Sequence, residues 1–385
     1  MYDQPVPQVV EAPPKYRQIY DTLKDSIAGG QYRTGQRLPS ESELVKTFSA
    51  SRLTVNRALR ELQLAGLIER RVGSGSYVSA TNAPGLTFGL LIPELGMTEI
   101  FEPICRGMAE AQLPDYHVLL WGKSPSDSQS LETRARELCQ QWIAKKVSGV
   151  FFAPLELSSD KESINRRIAE LLQQAGIPVV LIDRDLVPFP QRSRYDVVGI
   201  DNRRAAYVLT THLIEMGCKR LVFVGKHRAA PSCVARAVGF REAVQDADLA
   251  FKPDYIRHSA EPSDHNEVRR ILRDYRPDGI VCANDYTAAQ LMRTLESLSV
   301  KVPSDIKMAG FDDVKYASLL PVPLTTIRQP CAELGATAVR VMVDRVNNPM
   351  LPGRDLLLDF KLVIRESSGA LRTEGSQAEL STLHS

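Results

Sequence analysis

The sequence predicts an α/β protein in two parts. One is a small N-terminal head of three helices and a β-hairpin. The other is a larger domain of doubly wound parallel sheet divided into two subdomains. Three observations predict this. The chain has 385 residues, too many for one ordinary domain. From about residue 87, short continuous apolar runs alternate with helical stretches, the pattern of strands buried on both faces between helices. Charge is unevenly placed: the net +2 of the chain divides into +5 over residues 15–80, −2 over residues 1–14 and −1 over the rest. A basic unit joined to a nearly neutral one points to a polyanionic partner for the first.

The bulk properties exclude several classes. Hydrophobic residues make up 43% and charged residues 24%, as in a water-soluble globular protein. No apolar run approaches the roughly 20 residues that span a bilayer, so no membrane partner is expected. Residues 1–14 (MYDQPVPQVVEAPP) lack a basic stretch followed by an apolar one and read as a disordered leader, which implies a cytoplasmic protein. The six cysteines stand singly, with no C-x-x-C pair, so neither a disulfide framework nor a metal site is expected. His258 and His265 fall in polar surroundings and read as solvated. No cofactor is expected.

In the head, Ile19, Leu23 and Ile27 recur four apart over residues 15–30, an amphipathic helix stopped by Gly29-Gly30. Ser40 followed by Glu43 forms the S-x-x-E capping box of a second helix at about 41–48. Ser51 is a good N-cap for a third helix, which buries Val55, Leu59 and Leu62 and ends near Gly66. LIERR and SYVSA then flank Val72-Gly73-Ser74-Gly75 as a hairpin wing. Such a winged helix-turn-helix sets its third helix in the major groove of DNA. Arg52 can hold a guanine with two hydrogen bonds, Ser51 and Thr54 can meet phosphates or base edges, and Asn56 can read an adenine or a phosphate. The wing glycines permit close approach of backbone to the duplex, with Arg70 and Arg71 beside them. A solvated basic helix in a protein-binding module is the bland alternative; the wing and the cap argue against it.

The run YRQIYD…IAGGQYRTGQRLPSESEL…FSASRLTVNRALREL…GLIERRVGSGSYV resembles the GntR-type DNA-binding domain over residues 15–79. The resemblance implies DNA contacts at Arg37, Ser51, Arg52 and Thr54 and at the wing around Gly73 and Gly75. It also shows one departure, Asn56, where the family commonly has arginine.

Residues 80–86 read as a linker rich in small residues. Beyond it about ten strands are expected, enough for two sheets, and ligands of such folds bind outside the carboxyl ends of the strands. The polar residues at those ends are Glu94 and Thr98, Gly122-Lys123, Asp183-Arg184-Asp185, Arg236, Asn284-Asp285 and Asp312-Asp313. Donors and acceptors in such a mixture suit a polyhydroxylated neutral ligand, with Phe101 or Trp121 to stack on an apolar sugar face. Each polar residue taken singly could instead cap the helix after it. Paired acids such as Asp183/Asp185 could suggest glycoside hydrolysis, but acids so close in sequence rarely oppose each other across a substrate. No G-x-S-x-G elbow, phosphate loop or H-E-x-x-H occurs, so no enzyme is expected.

The runs GLLIPE, GIPVVLIDR, VVGIDNRRAAY…LIEMG, RLVFVG, ARAVGFREA, CAND, VPSDIKMAGFDD and LTTIRQP…LG resemble the LacI/GalR effector domain over about residues 87–366. The resemblance implies a periplasmic-binding-protein fold with a ligand in the cleft, touched by Arg184, Arg236, Asn284 and Asp312, with Phe101 as the aromatic after the first strand. It implies crossovers near 190–196, 320–326 and 351–356, hence subdomains 87–191 with 325–351 and 192–324 with 352–366. Residues 367–385 read as a disordered tail. The two parts together resemble the arabinose-repressor (AraR) group. The implied function is a sequence-specific DNA-binding repressor, a homodimer on a pseudo-palindromic operator, controlled by a small carbohydrate. A nucleoside or another small metabolite as effector, a ligand-binding protein with no DNA role, and a pyridoxal-phosphate domain behind the head are the alternatives.

Overall fold

The computed structural model describes residues 14–370 except 29, 34, 65–66, 72–73, 80–85, 93–98, 113–116, 123–129, 157–158, 228 and 259–260. Nearly all of the expected leader and linker, and the tail beyond residue 370, therefore lie outside the described residues. The chain divides into two compact units, one built on Met1–Thr87 with Gln112–Val118 and one on the remainder.

The head contains α1 (Lys15–Ala28), α2 (Glu41–Phe48), α3 (Arg52–Leu64), β1 (Ile68–Arg71) and β2 (Gly75–Val78). The apolar stripe Ile19, Leu23 and Ile27 of α1 shares one core with Val55, Leu59 and Leu62 of α3, closed by Leu38, Leu44, Ile68 and Val78. Both halves of the capping box form: Glu43 N donates to Ser40 Oγ at 3.3 Å, and Ser40 N donates to the Glu43 carboxylate at 2.6 Å. That bond holds the Glu43 carboxyl below its ordinary pKa. The hairpin is antiparallel, from Ile68 opposite Val78 to Arg71 opposite Gly75. Residues 35–38 run beside β2, with Leu38 N donating to Ser76 O and Val78 N to Gln36 O.

The large unit continues with β3 (Leu86–Leu91), α4 (Phe101–Glu110), β4 (His117–Trp121), α5 (Leu131–Lys145), β5 (Gly149–Phe152), α6 (Lys161–Gln174), β6 (Val179–Ile182), β7 (Asp196–Ile200), α7 (Asn202–Glu215), β8 (Leu221–Val224), α8 (Pro231–Asp246), β9 (Ile256–Arg257), α9 (His265–Tyr275), β10 (Gly279–Cys282), α10 (Asp285–Ser297), β11 (Lys307–Asp312), β12 (Thr325–Arg328), α11 (Cys331–Asn347), β13 (Asp355–Leu358) and β14 (Lys361–Val363). Two six-stranded sheets result, ordered β13-β7-β6-β5-β3-β4 and β14-β12-β11-β10-β8-β9. β12 and β14 pair antiparallel; the other pairs of described register are parallel. The runs GVFF, VVLI, LVFV and GIVC are buried at every position, as strands covered on both faces must be. Two helices of the first subdomain, α4 and α11, meet backbone to backbone. A Cβ on Gly107 of α4 would stand 2.1 Å from Ala332 O, and one on Gly335 of α11 would stand 2.0 Å from Ile104 O.

The chain crosses between sheets three times, after β7, after β12 and after β13. These crossings differ from the expected ones. β7 belongs to the first sheet through β6, β12 to the second through β11, and β13 returns to the first through β7. The physical reason is that strand pairing is a long-range choice. Nothing within DVVGI or TTIR says which sheet edge will accept it. The tail also begins later than expected. Ser367 and Ser368 are fully buried in a 3₁₀ turn, where Ser367 Oγ accepts from Thr325 N at 2.8 Å and donates to Met308 O at 2.7 Å. No helix among the described residues is long and apolar enough to cross a membrane.

Candidate DNA interface and effector cleft

In the head, α3 starts at Ser51, whose Oγ accepts from Thr54 N at 3.2 Å and lies 2.8 Å from the Thr54 hydroxyl. Ser51, Arg52 and Asn56 are exposed, and Arg52 and Asn56, four apart, share one face of the helix. Arg37 is exposed beside β2, bridged to Tyr77. Gly75 has φ +116°, and a Cβ there would meet Arg37 Nε at 2.8 Å, so the glycine lets Arg37 lie flat on the hairpin. Gly73 lies outside the described residues. Arg37, Ser40, Glu41, Arg70, Arg71 and Gly75 line an open depression of about 420 Å³ where the hairpin meets α2.

The sequence reading passed over two features of this surface. Leu53 is 84% exposed between Arg52 and Thr54, where an apolar side chain can meet a thymine methyl. It stands out of phase with the buried stripe Val55, Leu59, Leu62, and that phase was the available signal. Arg70 is not a free wing cation. Its guanidinium donates to Asn56 Oδ1 at 2.8 Å and to Glu41 Oε1 at 2.5 Å.

In the large unit, the carboxyl ends of β6 and β11 each turn through aspartates of positive φ: Asp183 at +72°, Asp312 at +107° and Asp313 at +50°. A φ of +107° is a strained value for a residue with a side chain, of the kind that collects at ligand sites. Asp183 is 8% exposed. Its Oδ2 accepts from Arg184 Nη1 at 3.1 Å, and its Oδ1 is buried with no hydrogen-bond partner. Arg184 also donates from Nε to Pro154 O at 2.8 Å and lies 3.8 Å from Glu156. From α8 of the second subdomain, Arg236 donates to Asn202 Oδ1 at 2.8 Å, to Ala283 O at 2.7 Å and to Asp312 Oδ1 at 3.4 Å. Gln329 donates to the same Asp312 oxygen at 2.8 Å. Burial pushes the Asp312 carboxyl above the ordinary carboxylate range, and Arg236 opposes that shift. Burial likewise pushes the Cys331 thiol nearby up to about 12.

The two sheets meet at the start of α8. Its N-cap residue, Ala230, has no side-chain oxygen to serve the first turn, and its own N–H donates to Glu156, which follows β5 of the first sheet, at 3.0 Å. Lys161 Nζ donates to Ala229 O at 2.8 Å. Ser232 Oγ reaches Asp183 Oδ2 at 3.5 Å.

Comparisons with known proteins agree with both halves of this geometry. Residues 15–78 match the family described as bacterial regulatory proteins, gntR family, and residues 210–368 match the periplasmic binding protein-like domain. The chain is a gntR-type head joined to a periplasmic-binding-protein-like domain. It is similar to the arabinose metabolism transcriptional repressor of Geobacillus stearothermophilus, at 27% identity over 92% of this chain and 98% of that one. The repressor of the same name from Halalkalibacterium halodurans is 27% identical over 95% of this chain and 99% of its own length. Among solved structures, the complex of the transcriptional regulator CelR with cellobiose superposes with a TM-score of 0.61 at 22% identity, covering 83% of this chain and 91% of that one. Here the periplasmic-binding-protein-like architecture takes in both sheets, from β3 to the 3₁₀ turn at Glu366–Ser368, more than the matched span.

Of the expected effector residues of this domain, Arg184, Arg236 and Asp312 converge on the facing strand ends. Asn284 sits beside Ala283, which binds Arg236, and caps α10 through its Oδ1, which accepts from Thr287 N at 2.9 Å. Phe101 is fully buried beneath Arg184, its ring centroid 5.8 Å from the guanidinium carbon, so it supports that arginine instead of offering a stacking face. Trp121, 52% exposed, ends the edge strand β4, and no described contact ties it to the other five. Of the further strand-end residues, Glu94, Thr98 and Lys123 lie outside the described residues. Asp185 is consumed by its own loop, accepting from Leu186 N and Ser193 N. Asp313 is held by Arg328 and Arg365, and Asp285 by Thr326 and Val314. The sequence reading left Glu156, Asn202 and Gln329 unnamed, because each acts through a partner on another element, 74, 34 and 17 positions away.

Proposed function

We propose that this protein is a sequence-specific DNA-binding transcriptional repressor, working as a homodimer on a pseudo-palindromic operator, whose hold on DNA is set by a small neutral carbohydrate. The effector residues are Asp183, Arg184, Arg236, Asn284 and Asp312; the DNA-reading residues are Arg37, Ser51, Arg52, Thr54 and Asn56. An operator partner implies a cytoplasmic protein. The observation that carries the ligand class is the pairing of both arginines. Each guanidinium already faces a carboxylate at 3.1–3.4 Å, while a buried oxygen of Asp183 lacks a donor. Such a lining asks for hydroxyls, which both donate and accept, more than for an anion. The repressors that this chain is similar to are named for arabinose metabolism, which supports a sugar. Because Glu156, Lys161 and Asp183 of one subdomain bond the start of α8 in the other, a ligand at these atoms biases the angle between subdomains. Coupling to DNA on the usual scale is about 1–3 kcal/mol, roughly 5- to 150-fold in affinity.

The test is a thermal-shift screen of the purified chain against pentoses, hexoses, disaccharides, sugar phosphates and nucleosides. It is followed by DNA-binding measurements with and without whatever shifts the melt. A saturable shift with one sugar that also changes operator affinity supports the proposal. A shift with nucleosides or sugar phosphates alone sinks the carbohydrate reading. Operator affinity unmoved by a bound sugar sinks the control mechanism.

A further inference from the structure

The hydrogen bonds around Asn56 determine what that residue can read. An arginine has donors only, so the Asn56 atom facing Arg70 Nη1 at 2.8 Å must be the carbonyl Oδ1. The amide nitrogen then lies on the other side of the planar group. Rotating the amide would bring two donor groups together, so the orientation is locked. Arg70 is locked in turn. Its second nitrogen is held by Glu41 Oε1 at 2.5 Å, and the pair is about two-thirds shielded, with 30% and 36% of the side chains exposed. Glu41 is itself placed at the first position of α2 by the Ser40–Glu43 capping box. Three elements thus converge on one amide: α2 supplies the anion, the hairpin supplies the cation, and α3 supplies the reading group.

Reading an adenine with two bonds needs an amide that offers Oδ1 to N6–H and Nδ2–H to N7. Asn56 already gives one lone pair of Oδ1 to a guanidinium, which makes that oxygen a poorer acceptor for a further donor, while its two Nδ2 donors are engaged in no described bond. Guanine presents two acceptors, O6 and N7, to the major groove, and no donor there. Asn56 lies one turn after Arg52 on the same exposed face of the helix. We propose that Asn56 reads its base pair as a hydrogen-bond donor, with its amide oriented by Arg70 and Glu41, and so selects guanine over adenine. This rests on the DNA-binding reading of the head. Arg70 and Glu41 are positioning residues: their effect on specificity passes through the amide.

The experiment selects operators from a pool of duplexes randomised over two half-sites, using the full chain, and repeats the selection with Asn56→Ala, Arg70→Met and Glu41→Gln. No sequence enriched by the unaltered protein would overturn the DNA-binding reading itself, and this inference with it. With a sequence enriched, Asn56→Ala must relax one position per half-site. That position must carry guanine in the unaltered protein, preferred over adenine by about 10-fold or more. Replacing this guanine by 7-deazaguanine should weaken binding by the unaltered protein and not by Asn56→Ala. Arg70→Met frees Oδ1 and should admit adenine at that position alone; Glu41→Gln should do so in smaller degree. Unaltered melting temperatures of these variants separate the effect from loss of fold. Adenine at the position in the unaltered selection, no position relaxed by Asn56→Ala, or a guanine preference untouched in a folded Arg70→Met would each overturn the inference.

Discussion

The head and the cleft both depend on arginine and use it in opposite ways. Arg37 and Arg52 stand exposed on the head, while the side chains of Arg184 and Arg236 are each 4% exposed in the cleft and paired with carboxylates. In water the charge is screened and costs little to keep, so an exposed arginine is free to exchange counterions for phosphates or to grip a base. In the interior the same group is costly unless every donor is met, and Arg236 meets its needs with Asn202, Ala283 and Asp312. The head thus leaves Arg37 and Arg52 open to solvent while Arg70 is paired with Glu41, and the cleft uses its arginines to hold its own walls in shape. Residue type alone does not separate these roles; burial and partners do.

The comparison can be broken most forcefully in the cleft. Arg236→Met leaves the buried Asp312 carboxylate with Gln329 alone and should destabilise the large domain by about 3–5 kcal/mol, read by denaturant melts. The double variant Arg236→Met with Asp312→Asn should regain much of that loss, since no bare charge remains. Equal losses in the single and double variants would mean that the pairing is not what stabilises the site.

Arg52→Ala tests the other side. It should leave the melting temperature unchanged, because that side chain is exposed and enters no hydrogen bond or ion pair among the described residues. It should weaken operator binding by about 1–3 kcal/mol per half-site, measured by titration of labelled duplex. Full operator affinity in this variant would remove α3 from the groove.

The smallest effect concerns a buried base far from either site. His212 is buried in α7 with Nε2 3.0 Å from Ser368 Oγ, and burial lowers its pKa. The folded chain therefore resists protonation that the unfolded chain accepts. Stability is fully present above the ordinary imidazole pKa and declines as pH falls through that range. His212→Gln should flatten the decline in stability–pH curves; an identical slope would assign it to other groups.

These contrasts also explain what was legible in the sequence. Head and strands were readable because their signals are local: the S-x-x-E box, the four-residue spacing of Ile19, Leu23 and Ile27, the unbroken apolar runs of β5, β6 and β8. The exposed place of Arg52 at the start of α3 was readable for the same reason. The bond from Arg70 to Asn56 was not, because it joins a strand to a helix fourteen positions earlier, and sequence periodicity ends with the element. Phe101 was expected to stack on a sugar and lies buried beneath Arg184, since an aromatic residue after a strand looks the same whether its ring lies above an arginine or beneath it. Trp121 was read as a second stacking face because it ends a strand, and the sequence did not show that this strand would lie at a sheet edge. The pair Asp312-Asp313 divides its duties, one residue toward the cleft and the next toward Arg328 and Arg365, and only the backbone turn at positive φ separates them.

The three crossings carry a consequence for how the protein is made. The core of the head lies in one stretch of chain, from Ile19 to Val78, and all its members exist once Val78 has been synthesised. Neither large sheet is: β13 and β14 take the outer edges of the two sheets, and the buried Ser367-Ser368 turn follows them. A growing chain on the ribosome owns its DNA reader early and its sensor only at the end, because domains fold as units in order of synthesis. A message broken before β13 would yield a reader without governance, deaf to the metabolite. Quality control of such fragments matters more for a regulator built in this order than for one whose sensor is translated first.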